Sequence, residues 1–170
     1  MTFTKYQFNN YCYWPSNPKK VIEFIGGSYL ASKPDLTYKR FIKSLINKNY
    51  AVHAYKYTPQ FDHQELAMRA WKDFKNCQRS LSKRIGTSIP SIRIGHSLGC
   101  KLHLISPDGG RNCEKFISIS FNNFSANRSI PFLKKISQKL EFNSEFSPSP
   151  ERTFGIIKKT YSQKNNFLIK

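Results

Sequence analysis

Gly95-His96-Ser97-Leu98-Gly99 sets one serine between two glycines at G-x-S-x-G spacing, and the small neighbours let a hydroxyl stand exposed on a tight strand-to-helix turn. A serine held that way attacks an acyl carbon if backbone N–H groups take up the charge that develops on the carbonyl oxygen. One such donor is the residue after the serine, Leu98. The second comes from a loop after an earlier strand, and Gly26-Gly27-Ser28, which directly follows the apolar run Val21–Ile25, offers the amides of Gly27 and Ser28. The chemistry indicated is acyl transfer to water, with Gly95, His96 and Gly99 shaping the turn around Ser97.

A serine hydroxyl also needs a base, and the base needs an orienting acid; around a turn of this kind the usual chain order is serine, acid, histidine. Downstream of Ser97 the sequence has His103 alone, six residues on along the same predicted helix and directed away from the turn. His53, His63 and His96 precede the serine. His63 as base with Asp62 as orienting acid is the pair to consider, because loops that follow parallel strands gather at the edge that holds the turn. The plainer alternative makes Asp62 a helix N-cap and His63 a surface side chain. An acid and histidine in the usual order would follow two further strands, and Phe167-Leu168-Ile169 would begin the first of them just before Lys170. The expectation is a chain truncated at its C-terminus relative to a full hydrolase, or a scaffold that has lost catalysis. His96, Cys100 and His103, at spacings of four and three, are zinc-ligand types near one helical face, but no fourth ligand accompanies them, so no metal and no cofactor is expected.

The elements that must position these residues alternate. Tyr6 to Trp14 reads as one or two leading strands, Val21 to Ile25 and Tyr50 to Tyr55 as strands, with a helix from Pro34 to about Asn47 between the last two. Asp62 with Glu65 three residues on opens a long helix that stops by Gly86. Ile92 to Ile94 is a strand, Leu98 to Ile105 a helix, Phe116 to Ser120 a strand, and Ser149-Pro150 starts a helix to about Tyr161. Strands separated by helices predict βαβ units, a mostly parallel sheet and helices on both faces. Pro131 to Leu140 predicts a basic amphipathic helix inside a stretch of about 129–148, placed where a lid could lie; an ordinary surface helix and a helix resting on an anionic membrane are the alternatives.

Composition limits the partners. A chain of 170 residues with 39% hydrophobic and 15% aromatic residues is one globular domain, 1–170, and no apolar run approaches the roughly 18 residues of a membrane span. The N-terminus lacks the apolar core of a secretory signal, and the four cysteines form no C-x-x-C pair, so free thiols in a reducing compartment are expected. Twenty-eight lysines and arginines against 10 acids give a net charge of +18, a field attractive to anions. No zinc-finger spacing or nucleic-acid-binding aromatic motif accompanies that charge, which favours a solvated basic surface over a nucleic-acid site.

The segments "EFIGGSYLASKPDLTYKRFI", "TPQFDHQELA", "GHSLGCKLHLI", "ISFNNFSANRSIPFL" and "EFSPSPERT", in that order between Glu23 and Thr153, resemble an uncharacterised family of α/β-hydrolase-like proteins from cyanobacteria and plastids. "GHSLG" alone is common to many hydrolases, whereas "GHSLGCKLHL" together with "SFNNFSA" is specific. The resemblance implies an α/β-hydrolase-like three-layer sandwich with a serine at the turn, located in the cytoplasm or plastid stroma. It carries no established substrate, and Ser97, Leu98, Gly26 and Gly27 transfer by motif position only. The expected function is hydrolysis of a small-molecule or lipid-like ester; the alternative is a scaffold that binds a ligand, an anionic membrane or a partner without turnover.

Overall fold

A computed structural model describes residues 2–130 and 145–161. The predicted lid helix, Pro131 to Leu140, and the apolar run Phe167 to Ile169 lie outside the described residues.

The leading aromatic segment forms a hairpin of β1 (Thr2–Gln7) and β2 (Asn10–Pro15). Phe8 and Asn9 both take positive φ at its two-residue turn, the hand that matches the twist of the flanking strands. Then follow β3 (Val21–Ile25), α1 (Pro34–Thr37), α2 (Lys39–Asn47), β4 (Ala51–Tyr55), α3 (His63–Ile85), β5 (Ser91–His96), α4 (Leu98–Leu104), β6 (Lys115–Ile119), α5 (Ala126–Ser129) and α6 (Pro150–Tyr161). The six strands form one sheet in the order β1-β2-β4-β3-β5-β6. The hairpin is antiparallel to the rest, while β4, β3, β5 and β6 run parallel.

Period-two alternation assigns the two faces. Val21, Ile25, Ala51 and Tyr55 pack beneath α3 with Ala67, Phe74, Cys77 and Leu81, and Leu102 of α4 joins them. Ile22, Phe24, Val52, Ala54 and Ile94 face α2, where Ile42, Phe41 and Leu45 cover them. The single helix expected from Pro34 is instead two, broken at Tyr38, whose φ of −110° and ψ of 18° leave the α region. The break turns the Tyr38 ring toward the ends of β3 and β5, where Phe24 and His96 pack against it edge-on.

Asp62 caps α3 as its sequence suggested, accepting the Glu65 N–H at 2.8 Å, and Gly86 ends that helix in the left-handed conformation. Under α4 lies a buried charge cluster. Glu23 and Arg93 are cross-strand neighbours in register, Arg93 Nε donates to Glu23 at 2.8 Å, and its two terminal nitrogens grip Asp108 at 2.6 and 2.9 Å. Fork-to-fork pairing of this kind compensates charges that would otherwise be costly to bury.

Candidate active site

β3, β4 and β5 deliver their C-terminal ends to one edge of the sheet, and the segments after them line a cavity of about 930 Å³. Ser97 lies there with φ 51° and ψ −118°, a conformation that costs a non-glycine residue about 1–3 kcal/mol and persists only where its surroundings hold it. Its N–H donates to the Ile119 carbonyl at the end of β6 at 2.9 Å, and its carbonyl accepts the Cys100 N–H at 3.0 Å. Both flanking residues have to be glycine. A Cβ on Gly95 would stand 2.6 Å from the Cys100 backbone, and one on Gly99 only 2.0 Å from the Ile25 carbonyl oxygen, so α4 packs against β3 backbone to backbone. The Ser97 hydroxyl meets the Asn122 side chain, from the loop after β6, at 3.5 Å.

Leu98 is the first residue of α4, so its N–H has no acceptor within its own helix. Gly27 lies against the serine: a Cβ there would be 3.3 Å from Ser97 Cβ and 3.0 Å from His96 Nδ1. The Gly27 amide, however, donates to the Tyr38 hydroxyl at 2.9 Å, and that hydroxyl is also 2.9 Å from His96 Nδ1. The Tyr38 oxygen accepts from Gly27, and the direction of its contact with His96 Nδ1 is set by the histidine tautomer. Burial raises the Tyr38 pKa, against a smaller lowering by the Gly27 amide, and keeps the phenol protonated. Gly27 thus anchors the loop, and Ser28 is left with an amide that has no hydrogen bond among the described residues.

His63 lines the same cavity but is no surface side chain: it is 3% exposed and stacks on Phe146 with ring centroids 4.2 Å apart. Burial, aided by the charge of Lys101 and opposed by Asp62, pushes its pKa down to about 3. Asp62 serves the helix N-terminus, and no hydrogen bond joins it to the His63 ring. The other histidines are engaged elsewhere. His53 Nε2 accepts from the Trp14 indole at 2.9 Å, and His103 stacks on Phe74 and meets Phe116 edge-on. Burial lowers the pKa of each to about 3. His96 leans toward Tyr38 and His103 toward Phe74, while Cys100 bonds the Ile119 carbonyl, so these three do not converge. Among the described residues no group of three or more His, Cys, Asp or Glu side chains is disposed to hold a metal ion. All four cysteines are free.

Lining or supporting residues not read from the sequence include Tyr38, Lys101, Asn122 and Arg128. Lys101 is the clearest omission, because a lysine inside the apolar run "LGCKLHLI" signals either an exposed break or a buried charge with a purpose. It is 2% exposed, its ammonium donates to the Pro148 carbonyl at 2.9 Å, and burial, partly offset by Glu145, lowers its pKa to about 8. A second cavity of about 920 Å³, lined by Phe3, Trp14, Arg84 and Ile89, includes none of the residues of the serine turn.

Residues 6–170 match the family described as protein of unknown function DUF1350. The chain belongs to that family. Solved structures at low identity share this architecture, and the fold is the α/β-hydrolase fold. A Staphylococcus aureus fluorophosphonate-binding serine hydrolase, FphF, aligns with a TM-score of 0.53 at 11% identity over 96% of this chain and 73% of its own. Carboxyl esterase 2 from the fungus Tuber melanosporum aligns at 0.54 with 14% identity over 92% and 59%, and TT1662 from Thermus thermophilus at 0.51 with 13% identity over 73% and 58%. The DUF1350 chain therefore spans under three fifths of the length of the latter two proteins. A comparison with curated proteins gives no match. No helix among the described residues is long and apolar enough to cross a membrane.

Proposed function

We propose that this DUF1350 protein is a serine hydrolase of the carboxylic-ester class, with Ser97 as nucleophile and the Leu98 amide, together with the Gly27–Ser28 segment, as the oxyanion site. The observation that carries this reading is the Ser97 backbone: a non-glycine residue at φ 51° and ψ −118°, between two glycines with no room for a Cβ, opening onto a cavity. Strain of that kind is retained where it serves to present a side chain. Within the segment, the Gly27 amide fixes the loop through Tyr38, and Ser28 supplies the second donor. The esterase and serine-hydrolase descriptions of the structural neighbours support a small-molecule ester as substrate.

His63, with Asp62, is the pair that the sequence offers to activate the serine. A group whose conjugate acid has a pKa of about 3 is a weak base at neutral pH, and the Asp62 carboxylate is engaged with the Glu65 amide. Among the described residues no base is hydrogen-bonded to Ser97. That observation favours the second reading, a scaffold that binds a ligand in the same cavity without turning it over.

A fluorophosphonate probe separates the two. Under the first reading the folded protein labels covalently and Ser97→Ala abolishes the label; a folded protein that does not label at all refutes it in favour of the scaffold.

A further inference from the structure

We propose that the cavity at Ser97 binds an anionic amphiphile: an apolar chain or ring system carrying one carboxylate or phosphate, with Lys101 and Arg128 as the groups that receive the anion. The inference rests on the reading that this cavity is the ligand site, and it holds whether the ligand is hydrolysed or only bound.

The wall has two chemistries. Leu30, Phe61, Phe124, Ile130 and Phe146 supply apolar surface. Eleven large apolar side chains remain exposed among the described residues, and four of them, Tyr29, Leu30, Phe61 and Phe124, line this one cavity. Exposed apolar surface gathered in a concavity marks a site for apolar ligand groups, and about 930 Å³ is ample for a drug-sized molecule.

Among the described residues that line the cavity the charged ones are Lys101 and Arg128, both cationic, with no Asp or Glu beside them. Neither is held in an ion pair among the described residues. Lys101 gives one N–H to the Pro148 carbonyl, and its ammonium stands 5.6 Å from the centre of the Phe146 ring. Glu145 acts on it from a distance, its Oε1 accepting the backbone amides of Ala126 and Phe146. Arg128 lies over the Phe124 ring at 4.1 Å, which holds a cation beside apolar surface. The hydrogen bond of this buried ammonium goes to a neutral carbonyl while Glu145 acts on it electrostatically, and an anion delivered by a ligand adds a charged acceptor. A neutral ester leaves both cations unmatched, and a cationic ligand is repelled. The net charge of +18 draws anions toward the protein as a whole, so the test has to separate the cavity from that general field.

The experiment is isothermal titration calorimetry on the Ser97→Ala protein, which removes turnover, using decanoate, decyl phosphate, decanol and decyltrimethylammonium below their micellar concentrations. The expected result is one site per chain, with decanoate or decyl phosphate at least tenfold tighter than decanol and the ammonium weakest. Whether carboxylate or phosphate binds more tightly distinguishes a fatty-acid-like ligand from a phospholipid-like one. Arg128→Gln, at an exposed position, reduces the anion preference, and Lys101→Met abolishes it with the circular dichroism spectrum retained. Lys43→Gln, on the exposed face of α2, leaves it unchanged. Equal affinity for decanol and decanoate, or a preference that Lys43→Gln weakens as much as Arg128→Gln does, overturns the proposal. Because binding is read without Ser97, failure of the hydrolase reading shows in the labelling experiment and failure of this one in the calorimetry.

Discussion

Gly99→Ala adds one methyl group at the tightest point of the fold. Its Cβ would lie 2.0 Å from the Ile25 carbonyl oxygen, 2.6 Å from the Ile25 carbonyl carbon and 2.9 Å from the Gly26 carbonyl oxygen. All three are backbone atoms of β3 or its continuation, so no side chain can rotate aside. Ordinary contact begins near 3.4 Å, so α4 and the end of β3 must part by 3.4 − 2.0 = 1.4 Å. Overpacking of a close-packed contact costs about 1–3 kcal/mol, and for a domain of this size each kcal/mol moves the melting temperature by about 2–4 °C. The displacement falls between Leu98, on the α4 side, and Gly27–Ser28, on the β3 side, which are the two halves of the proposed oxyanion site. A misplacement of about 1 Å at reacting groups costs about a hundredfold in rate. The measurements are a thermal melt by circular dichroism and the rate of fluorophosphonate labelling. Gly155→Ala is the control: it sits within α6 with no atom within 4 Å of an added Cβ, so the same chemical change is expected to stabilise by about 0.5–1 kcal/mol through helix propensity. A Gly99→Ala protein that melts and labels like the parent would refute the close approach of α4 to β3 and the reasoning built on it.

Three further outcomes follow from the networks behind the site. Arg93→Met leaves Glu23 buried without its partner and is expected to cost about 3–5 kcal/mol in urea unfolding; a loss under 1 kcal/mol would show that the ion cluster is dispensable. Asp108 is pushed up by burial but held down more strongly by Arg93 and Ser106, to a pKa of about 2 from its usual 3.8. A depressed carboxylate contributes stability that is fully present above pH 4 and lost as pH falls toward 2, here about 2–3 kcal/mol, so Asp108→Asn should flatten the acid limb of the stability curve measured between pH 5 and 2. Tyr38→Phe strips the partner from the Gly27 amide and from His96 Nδ1, with an expected cost of about 1–3 kcal/mol and slower labelling, read by the same melt and probe; unchanged labelling would separate the loop anchor from the oxyanion site.

Much of this protein is local in origin and was therefore legible. The alternation of strand and helix periods, the cap at Asp62 and the left-handed stop at Gly86 each express a short-range rule of backbone geometry, whereas the glycine at 99 answers to the distant Ile25 carbonyl. The capping box is only half made, however: Glu65 turns to Gln60 and Arg69 rather than back to the cap. One long-range pairing left a trace. Glu23 is the third residue of β3 and Arg93 the third of β5, opposite charges at matching places in two apolar strands, which parallel register brings side by side.

What the chain dictates by itself is the order of elements and the turn that presents Ser97, because φ/ψ preference and apolar period act over a few residues. Which groups surround that serine was decided only by the tertiary structure. Tyr38 reaches the Gly27 amide because α1 and α2 break at its position, Lys101 is enclosed because residues 145–148 return over α4, and His63 is stripped of water by Phe146, 83 residues further along. Burial and charge neighbourhood fix pKa, and both depend on segments that meet only when the sheet is assembled, so a histidine that the sequence offers as a base emerges neutral and stacked, and a lysine that the sequence leaves without a role emerges buried in the cavity wall.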